Sequence, residues 1–377
     1  MSNAVGQPKN PKSRRMKLNL LAGYIIGLGC LVWVFHDIHP GRFFRSLGGI
    51  NWPLAALGVL IEAASYFVMG VRWRILLKPE APLSALRTAQ AIYCGLFLNQ
   101  ILPLRVGELG RGFLVSHWAG LNFLSVLPSM ALERFFEAFW MASGLGALAL
   151  FVPLPRNLIR GGKILGAVIV GLAVLLMVLI LRKPGPDRSP SLRRSPGRLR
   201  RVARIFLSEL RTEFREIGFG RRFFLAFGLT LVVLCLWALP FWTIMRACGI
   251  REPLLVGFAV WLITHLGIAL PNSPGNVGSY QFFCVLALLL FGVDKTAASS
   301  FSITVFVLVS LPQIVLGAVA LARSGMTMSA LSEKAKQFRR HVFASSDTPP
   351  DAPLAPDQGP TAPDPAPSDP PASGGSD

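Results

Sequence analysis

Acidic residues are scarce in this chain of 377, where 19 Asp and Glu stand against 38 Lys and Arg, and six of the aspartates fall after residue 344. Cysteine is as sparse. Cys30, Cys94, Cys235, Cys248 and Cys284 are scattered among apolar neighbours without a CxxC pair, which excludes a disulfide framework or a thiolate metal site and leaves them as small packing residues. HExxH, GxSxG and P-loop motifs are missing too, so no metal, acyl-enzyme or nucleotide-driven chemistry has support. The chain is therefore expected not to be an enzyme and to use no cofactor and no metal. Any transport it performs runs down a gradient or couples to ions.

Apolar sequence is what the chain has in excess: 52% of its residues are hydrophobic and the mean hydropathy is +0.52. They lie in blocks at roughly 18–35, 53–71, 84–102, 122–152, 158–181, 223–245, 253–270, 280–292 and 297–322, several of them as long as the ~18 residues that mark a membrane helix. The first block follows a basic stretch as a signal peptide would, but the residues after it, His36 to Pro40, hold no small-x-small cleavage pattern. It is kept as a span.

The net charge of +19 does not point to nucleic acid. Thirteen of the basic residues fall between Arg182 and Arg222, beside apolar blocks, with no aromatic interleaving or finger motif. Basic clusters flanking spans mark the cytoplasmic side. That rule places inside the N-terminus (1–17), the flank at Arg72, Arg74 and Lys78, the basic loop 182–222 and the flank from Arg323 to Arg340. Both termini are then cytoplasmic, the apolar blocks form one membrane domain over 18–325, and the tail 326–377, Pro- and Asp-rich from about 345, is expected to be disordered without a soluble catalytic domain.

Parity then constrains the topology. If Arg72 and Arg182 both lie inside, segment 84–118 must enter and leave on the cytoplasmic side, and the same count from Arg222 makes 253–292 enter and leave from outside. The expected fold is an all-α polytopic membrane protein of about six full spans plus two re-entrant helical hairpins. Broken backbone at that depth is tolerated where protein or a wet cavity surrounds it.

The two hairpin turns share a pattern, L-P-x-x-x-G-x-[LV]-G-x, over Leu102 to Arg111 and Leu270 to Ser279, with a constant offset of 168 residues. Matching turns that enter from opposite faces are what an inverted repeat produces, and such repeats place a ligand near the midplane. Pro103, Gly107, Gly110, Pro271, Pro274, Gly275 and Gly278 stop and turn the helices, freeing N–H groups that can hold an anion such as a phosphate. The alternative is that these residues merely permit tight turns and close packing.

Block 122–152 carries Glu133, Arg134 and Glu137 about 16 to 23 Å from its start, near the centre of a core about 30 Å thick. A charge there costs at least about 2.5 kcal/mol. Arg134 and Glu137 can pair at i, i+3, whereas Glu133 and Glu137 share a face and need a cation between them. Arg105, Glu108 and Arg111 at the first turn bring the six charges to neutrality, which predicts one buried network joining hairpin tip to midspan helix. The arginines would grip a lipid phosphate and the carboxylates a headgroup amine or hydroxyl; a purely structural knot is the alternative. Asn99 and Gln100 precede the first turn, Asn272, Ser273 and Asn276 form the second, and Gln281, His265 and Gln313 lie on neighbouring spans. Glu62 is expected to pair with a neighbour.

The segments Phe97 to Arg111, Ala131 to Arg134 and Ala269 to Gln281 resemble the membrane region of the lysylphosphatidylglycerol synthase family, over about residues 15 to 325. In its bifunctional members this region is fused to a soluble domain that transfers lysine from aminoacyl-tRNA to phosphatidylglycerol, which has no counterpart in the tail here. The resemblance implies a flippase-like domain of a bacterial cytoplasmic membrane. The matching positions are Asn99, Pro103, Arg105, Gly107, Glu108, Arg111, Glu133, Arg134, Pro271, Pro274, Gly275 and Gly278. Asn276, Ser279 and Gln281 depart from it, since family members often carry an acidic residue there, and this speaks against a cationic aminoacyl headgroup. Membrane lipids are the expected partners. Standalone members occur with hopanoid and isoprenoid-linked sugar pathways, so two alternatives stay open: a non-transporting partner of a lipid-biosynthesis enzyme, recruited through the 182–222 loop, and a lipid-modifying transferase.

Overall fold

The computed structural model describes residues 24–36, 38–77, 81–102, 106–151, 160, 164, 166–168, 171, 220–269 and 274–326. Among them there are helices and no strand. Pro103, Arg105, Pro271, Asn272, Ser273, most of span 158–181, nearly all of the basic loop and the tail from 327 lie outside the described residues.

The helices are α1 (Tyr24–Phe35), α2 (Pro40–Gly48), α3 (Trp52–Leu76), α4 (Ala85–Ile101), α5 (Val106–Ala119), α6 (Phe123–Phe151), α7 (Arg221–Ala247), α8 (Leu254–Gly267), α9 (Ser279–Leu289) and α10 (Lys295–Ala322), with a 3-10 turn at Pro274–Asn276. Polar caps start α3, α4 and α10. Asn51 Oδ1 accepts the Leu54 N–H, Ser84 Oγ that of Arg87, and Asp294 those of Thr296 and Ala297, which satisfies N–H groups left without an intrahelical partner.

Length sorts these helices. At about 1.5 Å per residue, α3, α7 and α10 reach roughly 38 to 42 Å, and they alone among the described helices are long and apolar enough to cross a membrane. α6 has 29 residues, but charge interrupts it. α4, α5, α8 and α9, at 17, 14, 14 and 11 residues, reach only about 17 to 26 Å, short of a core about 30 Å thick. The long helices carry large apolar side chains outward, such as Leu57, Leu60 and Phe67 on α3 and Val307, Leu311 and Val315 on α10, an exposed apolar surface that a lipid environment covers.

The offset of 168 extends well beyond the two turns. Shifted by it, α3 falls on 220–244, α4 on 253–269, α5 on 274–287 and α6 on 291–319, against α7, α8, the 3-10 turn with α9, and α10. The packing repeats as well: α3 lies on α4 and α4 on α5, as α7 lies on α8 and α8 on α9, and α5 meets α6 as α9 meets α10. The halves join most extensively through α3 and α7, where Gly58 leaves room for Thr243 and Ile244. The two turns meet. The end of α4 packs on the 3-10 turn, and a side chain at Gly275 would touch Gln100. Gly275 (φ 65°), Asn276 (φ 59°) and Gly278 (φ 90°) are all left-handed, and Gly278 lies against the Gly27 backbone of α1.

Candidate functional site

Close packing of α4 and α5 sets the site. Gly107 has no room for a side chain against the Gly95 carbonyl and Asn99, so the start of α5 presses on α4 and aims Glu108 and Arg111 toward α6. Asn99 Oδ1 accepts the Gly107 N–H at 2.8 Å, and at the second turn Gln281 Oε1 accepts the Gly278 N–H at 2.7 Å. One N–H at each turn, expected to be free for an anion, is thus already held by a side chain.

Six charges from three helices close into a ring of alternating sign. Arg72 Nη2 on α3 donates to Glu133 Oε1 and Glu137 Oε1 on α6, at 2.8 Å each. The other Glu133 oxygen stands 2.9 Å from Arg111 Nη2 on α5. Arg111 Nη2 is 3.0 Å from Glu108 Oε2, that oxygen is 3.7 Å from Arg134 Nη2, and Arg134 Nη1 returns to Glu137 Oε2 at 2.8 Å. Three arginines balance three glutamates, which makes a buried cluster tolerable at this depth.

Burial grades around the ring. The side chains of Arg72 and Glu133 are 0% exposed and Arg111 2%, whereas Glu108 is 35% and Arg134 47% exposed. The ring therefore has a sealed side and an open edge, and its longest link is at that edge. The sealed side is braced: Arg111 lies over the Trp73 ring at 4.6 Å, Trp73 Nε1 donates to Ser129 Oγ, and Arg72 Nη1 reaches Thr230 Oγ1 on α7 at 3.4 Å. Arg72 Nε and Arg111 Nη1 are buried without a hydrogen-bond partner among the described residues.

The structure brings Glu108, Arg111, Glu133, Arg134 and Glu137 together as expected, including the Arg134–Glu137 pair and a cation between Glu133 and Glu137. That cation is Arg72, read from the sequence as a cytoplasmic flank. α3 runs on to Leu76 and holds Arg72 fully buried, as a member of the ring and not as an exposed flanking charge. Its signal was the unpaired demand of two carboxylates four residues apart. Gly110 is buried in α5. Pro274 opens the 3-10 turn. Asn276 makes no hydrogen bond or ion pair with the ring among the described residues. His265 Nδ1 sits 2.9 Å from the Trp261 carbonyl in an aromatic cluster with Trp237, Phe241 and Trp261.

Comparison with known proteins bears directly on this site. The description "Lysylphosphatidylglycerol synthase TM region" matches residues 20–317, which takes in all six ring residues. The chain belongs to that family. Among curated proteins, this family member is 23% identical to "Glycosyltransferase AglD" of Haloferax volcanii over 371 residues, 88% of this chain and 58% of that protein. It is 22% identical to a "UPF0104 membrane protein" of Methanothermobacter thermautotrophicus over 290 residues, 73% of this chain and 84% of that protein. This chain thus spans little more than half of the Haloferax relative, whereas the Methanothermobacter protein has the form of a standalone membrane domain of the family. No solved structure matches the chain.

Proposed function

We propose that this lysylphosphatidylglycerol synthase family membrane domain moves a lipid across a bacterial cytoplasmic membrane, with both termini inside, and that the ring of six charges is its headgroup station. The observation that carries this is the ring's graded burial: neutral, closed, braced on one side and open at Glu108 and Arg134. An empty station in a membrane must satisfy its own charges, and a ring of alternating sign does so. A phosphate arriving at the open edge replaces Glu108 on Arg134, and a headgroup hydroxyl or amine then pairs with the released carboxylate. This exchange opens the longest link first and leaves the sealed arginines and Glu133 in place.

On this reading α4–α5 and α8–α9 are re-entrant hairpins of an inverted repeat, entering from opposite faces with turns that meet inside the membrane. Their helices fall short of the core thickness, and the end of α4 packs on the 3-10 turn of the second hairpin. Asn276, with Asn99 behind the first turn, belongs to the path beside the station, and Arg105 and Asn272, expected from the sequence to bind the headgroup, lie outside the described residues.

The test is translocation of a fluorescent phospholipid in proteoliposomes, comparing wild type with Glu108→Gln and Arg134→Gln. The expected result is at least about a tenfold slower rate, equivalent to about 1.4 kcal/mol of barrier, in folded protein. Unchanged movement in both variants would sink the reading. The name of the Haloferax relative favours a lipid-modifying transferase as the second reading, and product formation by the purified protein from lipid and activated donor would establish it in place of transport.

A further inference from the structure

Away from the ring, one carboxyl lies buried in a spanning helix. Glu62 is the eleventh residue of α3, about 15 Å from its start, and is 4% exposed. It forms no ion pair with the described residues. The ionisable groups facing it are phenols: Tyr66 on its own helix, which donates its O–H to Glu62 Oε1, Tyr93 on α4, which donates to the Ala63 carbonyl, and Tyr280 on α9. The described part of α7 brings Thr243 to Gly58, one turn away. Electrical neutrality at this depth therefore has to reach Glu62 as a proton or a cation. A metal ion asks for several oxygen ligands, and no metal-binding group of carboxylates, cysteines and histidines exists among the described residues.

Glu62 also ends a hydrogen-bond chain of one direction. Gln100 Nε2 donates to Gln313 Oε1 at 2.6 Å, Gln313 Nε2 donates to the Tyr66 oxygen at 2.7 Å, and Tyr66 donates to Glu62. Every donor points toward the carboxyl, as an ionised acceptor requires. The far end is half-buried Gln100 of α4, against Gly275 of the second turn.

We propose that Glu62 is a proton-binding site and that its protonation couples a proton gradient to movement of the hairpins. Taking up a proton from the aqueous phase forms an O–H bond on the carboxylate and makes Glu62 a donor. Tyr66 then turns its own O–H toward Gln313, both amides flip, and the side of Gln100 presented to the second turn changes from acceptor to donor. The device rests on the translocation reading, since hairpin movement is what it would drive.

Proton binding is read first without any lipid movement, by infrared difference spectra of the full chain in lipid nanodiscs between acidic and alkaline buffer. Wild type minus Glu62→Gln should show the C=O band of one protonated carboxyl, and Tyr66→Phe should retain it. In proteoliposomes, a gradient of one pH unit should then shift the distribution of a fluorescent phospholipid by up to about tenfold for one proton per lipid, with no shift in Glu62→Gln or Tyr66→Phe. A missing band in wild type, or one unchanged in Glu62→Gln, overturns the proposal. A band with lipid movement indifferent to the gradient overturns the coupling. A band with no lipid movement in any vesicle overturns the translocation reading and the coupling together, and leaves the proton site established.

Discussion

Arg72 offers the sharpest test of the ring, because its guanidinium bridges the two carboxylates of α6. Replacing it with Met keeps the apolar stem and removes the charge. Glu133 retains Arg111 and Glu137 retains Arg134, so the loss leaves one net negative charge spread over the cluster, not two isolated carboxylates. Stranding a buried charge costs about 3 to 5 kcal/mol in proteins, whereas polar contacts between membrane helices measure about 0.6 kcal/mol on average. Complete burial of Arg72 puts it near the upper of these, at about 3 kcal/mol. Glu137→Gln then removes the surplus charge, and the Arg134 it frees is half-exposed and screened by water. In a double-mutant cycle of Arg72→Met and Glu137→Gln, followed by equilibrium unfolding in mixed micelles, the pair should be more stable than the sum of the singles predicts, by about 1.5 to 3 kcal/mol. Additivity within about 0.5 kcal/mol would refute the argument, for it would mean that Arg72 holds α6 by packing and not by charge.

Arg134→Gln should change stability by less than about 1 kcal/mol, as an exposed pair does, while slowing lipid movement at least about tenfold; parallel thermal denaturation and translocation separate the two. Asn99→Ala removes the acceptor for the Gly107 N–H and should lower stability by about 1 kcal/mol, the ordinary worth of a helix cap, measured by the same unfolding. Gly107→Val forces a branched side chain into Gly95 and Asn99, and should separate α4 from α5, abolish translocation and lower the denaturation midpoint. In a cysteine-free background, Gly120→Cys and Glu252→Cys should label from opposite faces with a bulky membrane-impermeant maleimide, whereas Leu102→Cys should label from neither; labelling of Leu102→Cys from the face opposite Gly120→Cys would make α4 and α5 full spans.

Much of the fold was legible because a bilayer makes polarity costly. Each apolar block corresponds to a helix wherever its residues are described, and the charges of α6 stood out for lack of water to justify them. The twin turns were visible too and carried the expectation of an inverted repeat, but the matching lengths and packing of four helices on each side became legible only in the structure. Arg72 was hidden by its company. With Arg74 and Lys78 close behind, it has the look of a flank, and only the continuation of α3 to Leu76 places it within the protein. The Glu62 relay was out of reach for another reason. Its members come from α3, α4 and α10, and which amide meets which hydroxyl depends on helix packing that no spacing reveals.

The repeat duplicates the scaffold without duplicating the chemistry, and this bears on where a headgroup can be held. Shifted by 168, Trp73 falls on Phe241, Arg111 on Ser279 and Glu133 on Phe301. The six charged positions of the first half fall on Pro240, Asn276, Ser279, Phe301, Ser302 and Val305 in the second, none of them charged. There Phe241 and Phe301 are 1% and 0% exposed, with ring centres 6.4 Å apart, and Tyr280 stands 6.1 Å from Phe241. A packed aromatic cluster loses contacts when it parts and gains none from a phosphate, whereas a charge ring can trade one partner for another at nearly constant electrostatic energy. Equal scaffolds with unequal fillings thus give one half that exchanges polar contacts and one half that resists deformation. On the translocation reading proposed above, headgroup exchange falls to the first hairpin and α6, and the second half is the stiffer partner against which they work.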